Sequence, residues 1–63
     1  MKLTLSIDMD NAAFDDSPGA EASRILHRLA DKVGPMEASD ALGTTWPLMD
    51  INGNKVGRAE VVE

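Results

Sequence analysis

Two groups of polar residues in this sequence have types and spacing that could support chemistry. In the first, Asp50, Asn52 and Asn54 have the D-x-N-x-N spacing that opens a calcium-binding EF-hand loop. That loop also requires glycine at its sixth position and glutamate at its twelfth, and this chain has Lys55 and Val61 there. Because these required residues are missing, the spacing predicts a hairpin turn with polar flanks and no calcium site.

The second group is an acidic cluster between residues 8 and 16. Paired carboxylates can bind Mg²⁺ or act as general acid and base, but no nucleophile, basic partner or glycine-rich phosphate loop lies beside them. We therefore expect no metal and no cofactor. The first interpretation is that these residues end a strand and begin a helix. The alternative is a partner-binding patch formed by Asp8, Asp10, Asp15 and Asp16.

Other catalytic groups are scarce. His27 is the only histidine, and a catalytic triad needs partners that the sequence does not place beside it. There is no cysteine, which excludes disulfides and thiolate metal sites. We therefore expect no enzyme activity. The only tryptophan, Trp46, has two interpretations: a lid on one end of the core, or an anchor in a protein interface, where tryptophan is enriched.

Length and charge limit the classes of partner. The chain has 63 residues, which predicts a single domain spanning 1–63. A domain this small has a limited core, and with no disulfides to help, a homodimer is expected. The net charge is −5 and the basic residues are scattered among acids, so direct binding to nucleic acid is not expected. The N-terminus lacks the apolar run of a signal peptide, and no segment approaches the roughly 20 apolar residues of a membrane span. We expect a cytoplasmic protein without a membrane partner.

The first half of the chain predicts a strand followed by a helix. Residues 2–9 alternate between polar and apolar side chains, which indicates a strand with one buried face formed by Leu3, Leu5, Ile7 and Met9. Phe14, in the connection between the strand and the helix, is expected to pack under the sheet as a plug of the core. Ser17 and Pro18 have the types that begin a helix, and Gly34 with Pro35 ends it. Between them, an apolar face repeats with helical period at Ala22, Ile25, Leu26, Leu29 and Val33.

The second half predicts a long loop and a hairpin. Residues 35–45 have no clear period, and a strand is expected from Trp46 to Ile51. Asn52-Gly53 favours a type I′ turn, and the returning strand spans about 54–62, with Gly57, Ala59 and Val61 facing inward. The order β-α-β-β indicates an α+β fold with one helix packed on a three-stranded sheet. We favour an antiparallel sheet with the last strand in the middle. The alternative places the second strand parallel to the first.

The two ends of the chain and the helix segment ASRILHRLADKV resemble a family of small proteins from bacteriophages, prophages and mobile elements, and the resemblance covers most of the chain except residues 35–46. Members of that family share a T-I-D-M-D-N-A-F start and a D-x-N-G-N-x-V-G ending; this chain has SIDMDNAAF and DINGNKVG. It departs from the family in having Arg58, Ala59 and Glu60 where members often carry an aromatic residue. The resemblance implies a phage or mobile-element context and does not imply a reaction.

These observations favour a function in binding. The leading hypothesis is a phage-encoded accessory protein that binds a host protein, with inhibition of a host defence system as one such role. The acidic patch and the loop around Trp46 are its candidate contacts. Two alternatives stay open at this level: an oligomer that sequesters a small molecule or nucleotide, and a structural or assembly component of the virion.

Overall fold

The computed structural model describes residues 1–63 and has the predicted α+β architecture. One long helix accompanies a three-stranded sheet. In chain order the elements are β1 (Lys2–Ile7), a 3₁₀ turn (Ala12–Phe14), α1 (Pro18–Val33), α2 (Ala38–Ala41), β2 (Thr45–Met49) and β3 (Lys55–Val62). The short helix α2 lies in the segment for which the sequence predicts an irregular loop.

The strand order is β1-β3-β2, and both pairs of neighbours are antiparallel. This confirms the arrangement that we favoured, with the last strand in the middle. In the register, Ala59 lies between Leu5 of β1 and Trp46 of β2. Side chains directly opposite one another share a face of the sheet, so these residues mark the face that α1 partly covers.

A bulge in β3 changes which of its side chains are buried. Leu48 pairs with Gly57, whereas the next residue, Met49, pairs with Lys55, so Val56 is the extra residue. Ala59 and Val61 are buried, as the alternation predicts, and Val56 is buried as well. The sequence assigned Val56 to the outer face. That assignment is wrong because an extra residue in a strand breaks the period of two.

Helix α1 begins and ends where the sequence predicts. Ile25 and Leu29 enter the core together with Phe14, which confirms the predicted plug. Leu26, predicted on the apolar face, is 43% exposed. The Ser17 side chain accepts no capping hydrogen bond from the helix, contrary to expectation, and the Ser17 carbonyl instead accepts from the backbone N–H of Glu21.

The hairpin between β2 and β3 forms at the predicted position with a different turn. The Asp50 N–H donates to the Asn54 carbonyl at 2.9 Å, and the Gly53 N–H donates to the Asp50 carbonyl at 3.0 Å. Gly53 alone in the loop has a positive φ, 84°, whereas a type I′ turn requires positive φ at Asn52 as well. The loop therefore has three residues and ends in a left-handed glycine.

The largest departure from expectation concerns β1. Its alternating side chains predicted a buried face, but Leu3 and Leu5 are 46% and 43% exposed. Only Ile7, near the end of the strand, packs against the core. The molecule is elongated, 40 × 18 × 17 Å, and α1 lies against β2 and the 3₁₀ turn rather than over β1. The prediction is wrong because one helix is too narrow to cover both outer strands.

Candidate functional site

Leu3 and Leu5 on the apolar face of β1 and the acidic residues that follow β1 lie near one another along the chain. We call Leu3 and Leu5 the apolar strip, and Asp8, Asp10, Asp15 and Asp16 the acidic segment. Every one of these six side chains belongs to an exposed residue. The sequence predicted the acidic segment as a candidate contact and missed the apolar strip, because strand periodicity was taken as evidence of burial.

Two internal contacts hold the acidic segment in place. Phe14 is 3% exposed and packs in the core. Asn11 caps the 3₁₀ turn by accepting a hydrogen bond from the Ala13 N–H at 3.1 Å. The Asn11 side-chain amide also donates to Oδ2 of Asp50 at 2.7 Å. The carboxylates before and after the turn therefore belong to a segment that is held by two contacts with the rest of the protein.

None of the four carboxylates in the acidic segment has a cationic partner. The two ion pairs of the molecule join Arg24 to Glu21 and Arg58 to Glu60. Within the segment, a hydrogen bond to Asp8 and the charge of Asp8 raise the pKa of Asp10. A nearby positive group on another molecule would relieve this repulsion. The acidic segment is thus a source of uncompensated negative charge on the surface.

Asp50 is the structural centre of the hairpin turn. It is 4% exposed, and its Oδ1 accepts hydrogen bonds from the backbone N–H groups of Asn52 and Asn54, both at 2.9 Å. Its Oδ2 accepts from the side-chain amides of Asn54 at 3.2 Å and Asn11 at 2.7 Å. The predicted hairpin turn is confirmed, but its first residue is buried, not solvated. The D-x-N-x-N spacing serves to organise the turn around one carboxylate.

A second buried carboxylate, Glu21, ties the helix to the hairpin. Its Oε1 lies 2.7 Å from Nε of Arg24, and its Oε2 accepts from the Ile51 N–H at 2.8 Å. Arg24 also donates from Nη2 to the Met49 carbonyl at 3.2 Å. Glu21 is 8% exposed. The spacing of three residues on a helix is typical of the pair with Arg24. The contact of Glu21 with the hairpin has no such local signal, because Glu21 and Ile51 lie 30 positions apart.

Trp46 and His27 occupy ordinary positions. Trp46 is half-buried and packs against the core, which is the geometry of the lid interpretation. Its role as a partner anchor stays a prediction. His27 is exposed on α1, with Nδ1 2.8 Å from the carbonyl of Ser23 in the preceding turn. The hydroxyl oxygen of Ser23 also lies 3.3 Å from Nδ1, and no carboxylate is among the hydrogen-bond partners of the imidazole.

The one groove in the surface lies between α1 and the hairpin and has a volume of about 270 Å³. Leu29 and Leu48 form part of its wall, and Arg28 and Lys32 line one side. Ile51 lies at its rim and is 67% exposed. The groove is smaller than typical small-molecule sites, about 300–1,000 Å³, and none of the residues of the acidic segment lines it.

The two buried carboxylates predict how stability depends on pH. Hydrogen bonds from Arg24 lower the pKa of Glu21, and those from the Asn54 N–H and the other donors lower the pKa of Asp50. A carboxylate whose pKa is lowered on folding adds stability above its unfolded pKa, and this stability is lost as pH falls through the folded pKa. We therefore expect the free energy of unfolding to decline below about pH 4, the ordinary range of Asp and Glu.

Urea unfolding followed by Trp46 fluorescence between about pH 7 and about pH 2.5 measures this decline. Glu21→Gln is the control, because it removes one of the two titrating groups and should flatten the curve. Asp10 has a raised pKa and acts in the opposite direction, but its carboxylate is exposed. A profile equally steep in the wild type and the Glu21→Gln variant would contradict the assignment to Glu21.

Comparisons with known proteins add no assignment to this geometry. No protein-family model, curated protein or solved structure matches the chain. No group of three or more His, Cys, Asp or Glu side chains is placed to hold a metal ion. Neither helix combines the length and apolar character needed to cross a bilayer. The resemblance to small phage proteins stays an interpretation of the two terminal motifs.

Proposed function

We propose that this chain acts by binding another protein through β1 and the acidic segment. The observation that carries the proposal is the uncovered apolar strip: Leu3 and Leu5 point to the core side of the sheet and yet are nearly half exposed. Apolar side chains grouped on a surface, with polar residues around them, are typical of a contact with a partner. The acidic segment begins directly after β1 in the chain and supplies the charged part of the proposed contact.

The chemistry of the surface indicates the kind of partner. An apolar strip bordered by uncompensated carboxylates is complementary to a protein surface with an apolar patch and clustered Lys or Arg side chains. The two terminal motifs support a phage or mobile-element accessory protein, and the partner is then a host protein in the host cytoplasm. A protein of a host defence system, inhibited by this contact, is the specific role that we propose.

Capture from a lysate of the bacterial host tests the apolar strip. Immobilised wild-type protein should retain a host protein, and the variant Leu3→Ser/Leu5→Ser should retain at least about tenfold less of it, because the loss of two buried apolar contacts costs several kcal/mol. The matched control is Leu26→Ser/Ile51→Ser, which removes two similarly exposed apolar side chains, 43% and 67%, from α1 and the hairpin. Equal retention by both double variants would show that the apolar strip is not the contact.

Charge is tested in the same experiment. Retention should weaken as the salt concentration rises from about 0.05 M to about 0.5 M, because salt screens exposed charges. The variant Asp10→Asn/Asp15→Asn/Asp16→Asn should lose most of this salt dependence. A control with the same change in net charge is Asp31→Asn/Glu37→Gln/Glu63→Gln, whose side chains are exposed elsewhere. If no protein is retained above background at any salt concentration, the proposed function is wrong.

A further inference from the structure

The two outer strands of the sheet differ in how their free edges are protected. The Val61 N–H of β3 donates to the Thr44 carbonyl, so the backbone N–H and C=O groups of the even-numbered residues of β2 point to β3. The backbone groups of the odd-numbered residues therefore point outward. Pro47 is one of these and has no N–H to offer. The outward carbonyl of Met49 accepts from Arg24. The β2 edge is therefore blocked against pairing with another strand.

The β1 edge has no such protection. The Asp8 N–H donates to the Val56 carbonyl at 2.7 Å, which places the even-numbered residues of β1 against β3. The N–H and C=O groups of Leu3, Leu5 and Ile7 consequently point to the open side. This strand has no proline and no bulge, and no charge lies between Lys2 and Asp8. An edge of this kind is a ready template for a further strand.

We propose that the strand that pairs with β1 is β1 of a second copy of this chain. The sequence of the strand is complementary to its own reverse. In an antiparallel pair centred on Leu5, Leu3 lies opposite Ile7 of the second copy, and Thr4 lies opposite Ser6. Lys2 then lies opposite Asp8 of the second copy at both ends of the pair. Opposite charges directly across two strands stabilise the pair.

This pairing satisfies the geometry of the edge. The three outward-facing residues of each copy meet those of the other, so about six hydrogen bonds close the interface. The arrangement has twofold symmetry, in which the same surface of both copies is used. It joins the two sheets into one sheet of six strands, with Leu5 beside Leu5 of the second copy. A shift of the register by two residues in one direction places Lys2 opposite Ser6, and both ion pairs are lost. A shift in the other direction places Lys2 opposite Asp10, which lies beyond the last residue, Asp8, that bonds to β3.

The inference deepens the proposed function and rests on it, since both assign β1 to protein binding. In the dimer, the apolar strips of the two copies lie side by side on one face of the joined sheet. Only part of Leu3 and Leu5 is covered by the strand pairing, because pairing occurs at the edge and not on the face. The dimer therefore presents a wider apolar surface to the host protein than one copy does.

Amide hydrogen exchange on the purified protein tests the edge directly. The N–H groups of Thr4 and Ser6 bond to β3 in every copy and should be protected at all protein concentrations. The N–H groups of Leu3, Leu5 and Ile7 should exchange fast in dilute solution and become at least about tenfold more protected as the dimer forms. If these three remain fast at concentrations where the mass is that of a dimer, another surface forms it and the inference is wrong.

A charge exchange tests the register by sedimentation equilibrium. Lys2→Glu and Asp8→Lys should each weaken the dimer by about tenfold, because each replaces two attractions with two repulsions. The combined variant Lys2→Glu/Asp8→Lys should return to within about threefold of the wild type. Lys55→Glu is the control, since it makes the same charge change at an exposed site outside β1. A combined variant as weak as the single ones, or a wild type that is monomeric at millimolar concentration, overturns the inference.

These measurements use the protein alone, so they are independent of the capture of a host protein. A monomeric chain that still retains a host protein through Leu3 and Leu5 would overturn the dimer and leave the proposed function standing. A dimer that has the predicted exchange pattern but retains no host protein would overturn the proposed function and leave the dimer standing. A peptide with the sequence of residues 1–9, added to a dilution series, should dissociate the dimer because it competes for the same edge. A dimer that the peptide leaves unchanged would contradict pairing at β1.

Discussion

Replacing Gly57 with alanine is expected to remove a large part of the stability of the protein. An alanine Cβ at this position would lie 1.8 Å from the carbonyl oxygen and 2.9 Å from the carbonyl carbon of Ser6. Both atoms belong to the backbone of the neighbouring strand, so no side chain can rotate away to make room. Relief requires β1 to separate from β3 at the bulge, which breaks ladder hydrogen bonds.

The expected cost is about 3 kcal/mol or more, at the upper end of overpacking effects. A chain of this size has a total stability of only about 3–9 kcal/mol. Urea denaturation followed by circular dichroism measures the loss. Gly19→Ala is the control: it adds the same methyl group in α1, where no atom lies within 4 Å, and should stabilise the helix by about 0.5 kcal/mol. Similar stability of the Gly57→Ala variant and the wild type would mean that β1 and β3 do not approach this closely.

The second large effect is expected at Asp50. Asp50→Ala leaves the backbone N–H groups of Asn52 and Asn54 and the side-chain amide of Asn11 without their acceptor. Unpaired buried donors are costly, especially those that lose a charged partner. The hairpin loses the hydrogen bonds that Asp50 accepts within it, and the acidic segment loses the contact between Asn11 and Asp50. We expect the melting temperature to fall by more than about 10 °C.

Asp50→Asn separates the charge from the hydrogen bonds. An amide in the same orientation retains the oxygen that accepts from the two backbone N–H groups, while its NH₂ group faces the amides of Asn11 and Asn54. Its melting temperature should lie between those of the wild type and Asp50→Ala. It should also remove the part of the acid sensitivity that Asp50 contributes. Differential scanning calorimetry at pH 7 and pH 4 checks both results, and an Asp50→Ala variant as stable as Asp31→Ala would contradict the role of Asp50.

The contact between Asn11 and Asp50 also explains the two terminal motifs in structural terms. Asn11 belongs to the opening motif and Asp50 to the closing one, and their side chains meet at 2.7 Å. Phe14, later in the opening motif, fills the core under the same region. Gly57 closes the second motif at the point where two strands come closest. These motif residues build the fold.

The sequence by itself determined the three strands, the long helix and their order, but not the short helix α2. The helical period and the residues that flank it located α1 to the residue. The hairpin followed from Asn52-Gly53, and Phe14 was predicted to enter the core as the large apolar residue of the connection. Even the strand order was predicted, because the longest strand of the hairpin is the one that can pair on both sides. Each of these features depends on residues close together in the chain.

Only the tertiary structure decided which surfaces are covered. The pattern of β1 is that of a half-buried strand, but whether Leu3 and Leu5 are covered depends on where a helix more than ten residues away comes to lie. The burial of Asp50 and Glu21 likewise depends on donors from distant segments. Periodicity describes which side chains share a face; it contains no information about what lies against that face. For that physical reason, the apolar strip and the open edge of β1 became visible only in the folded chain.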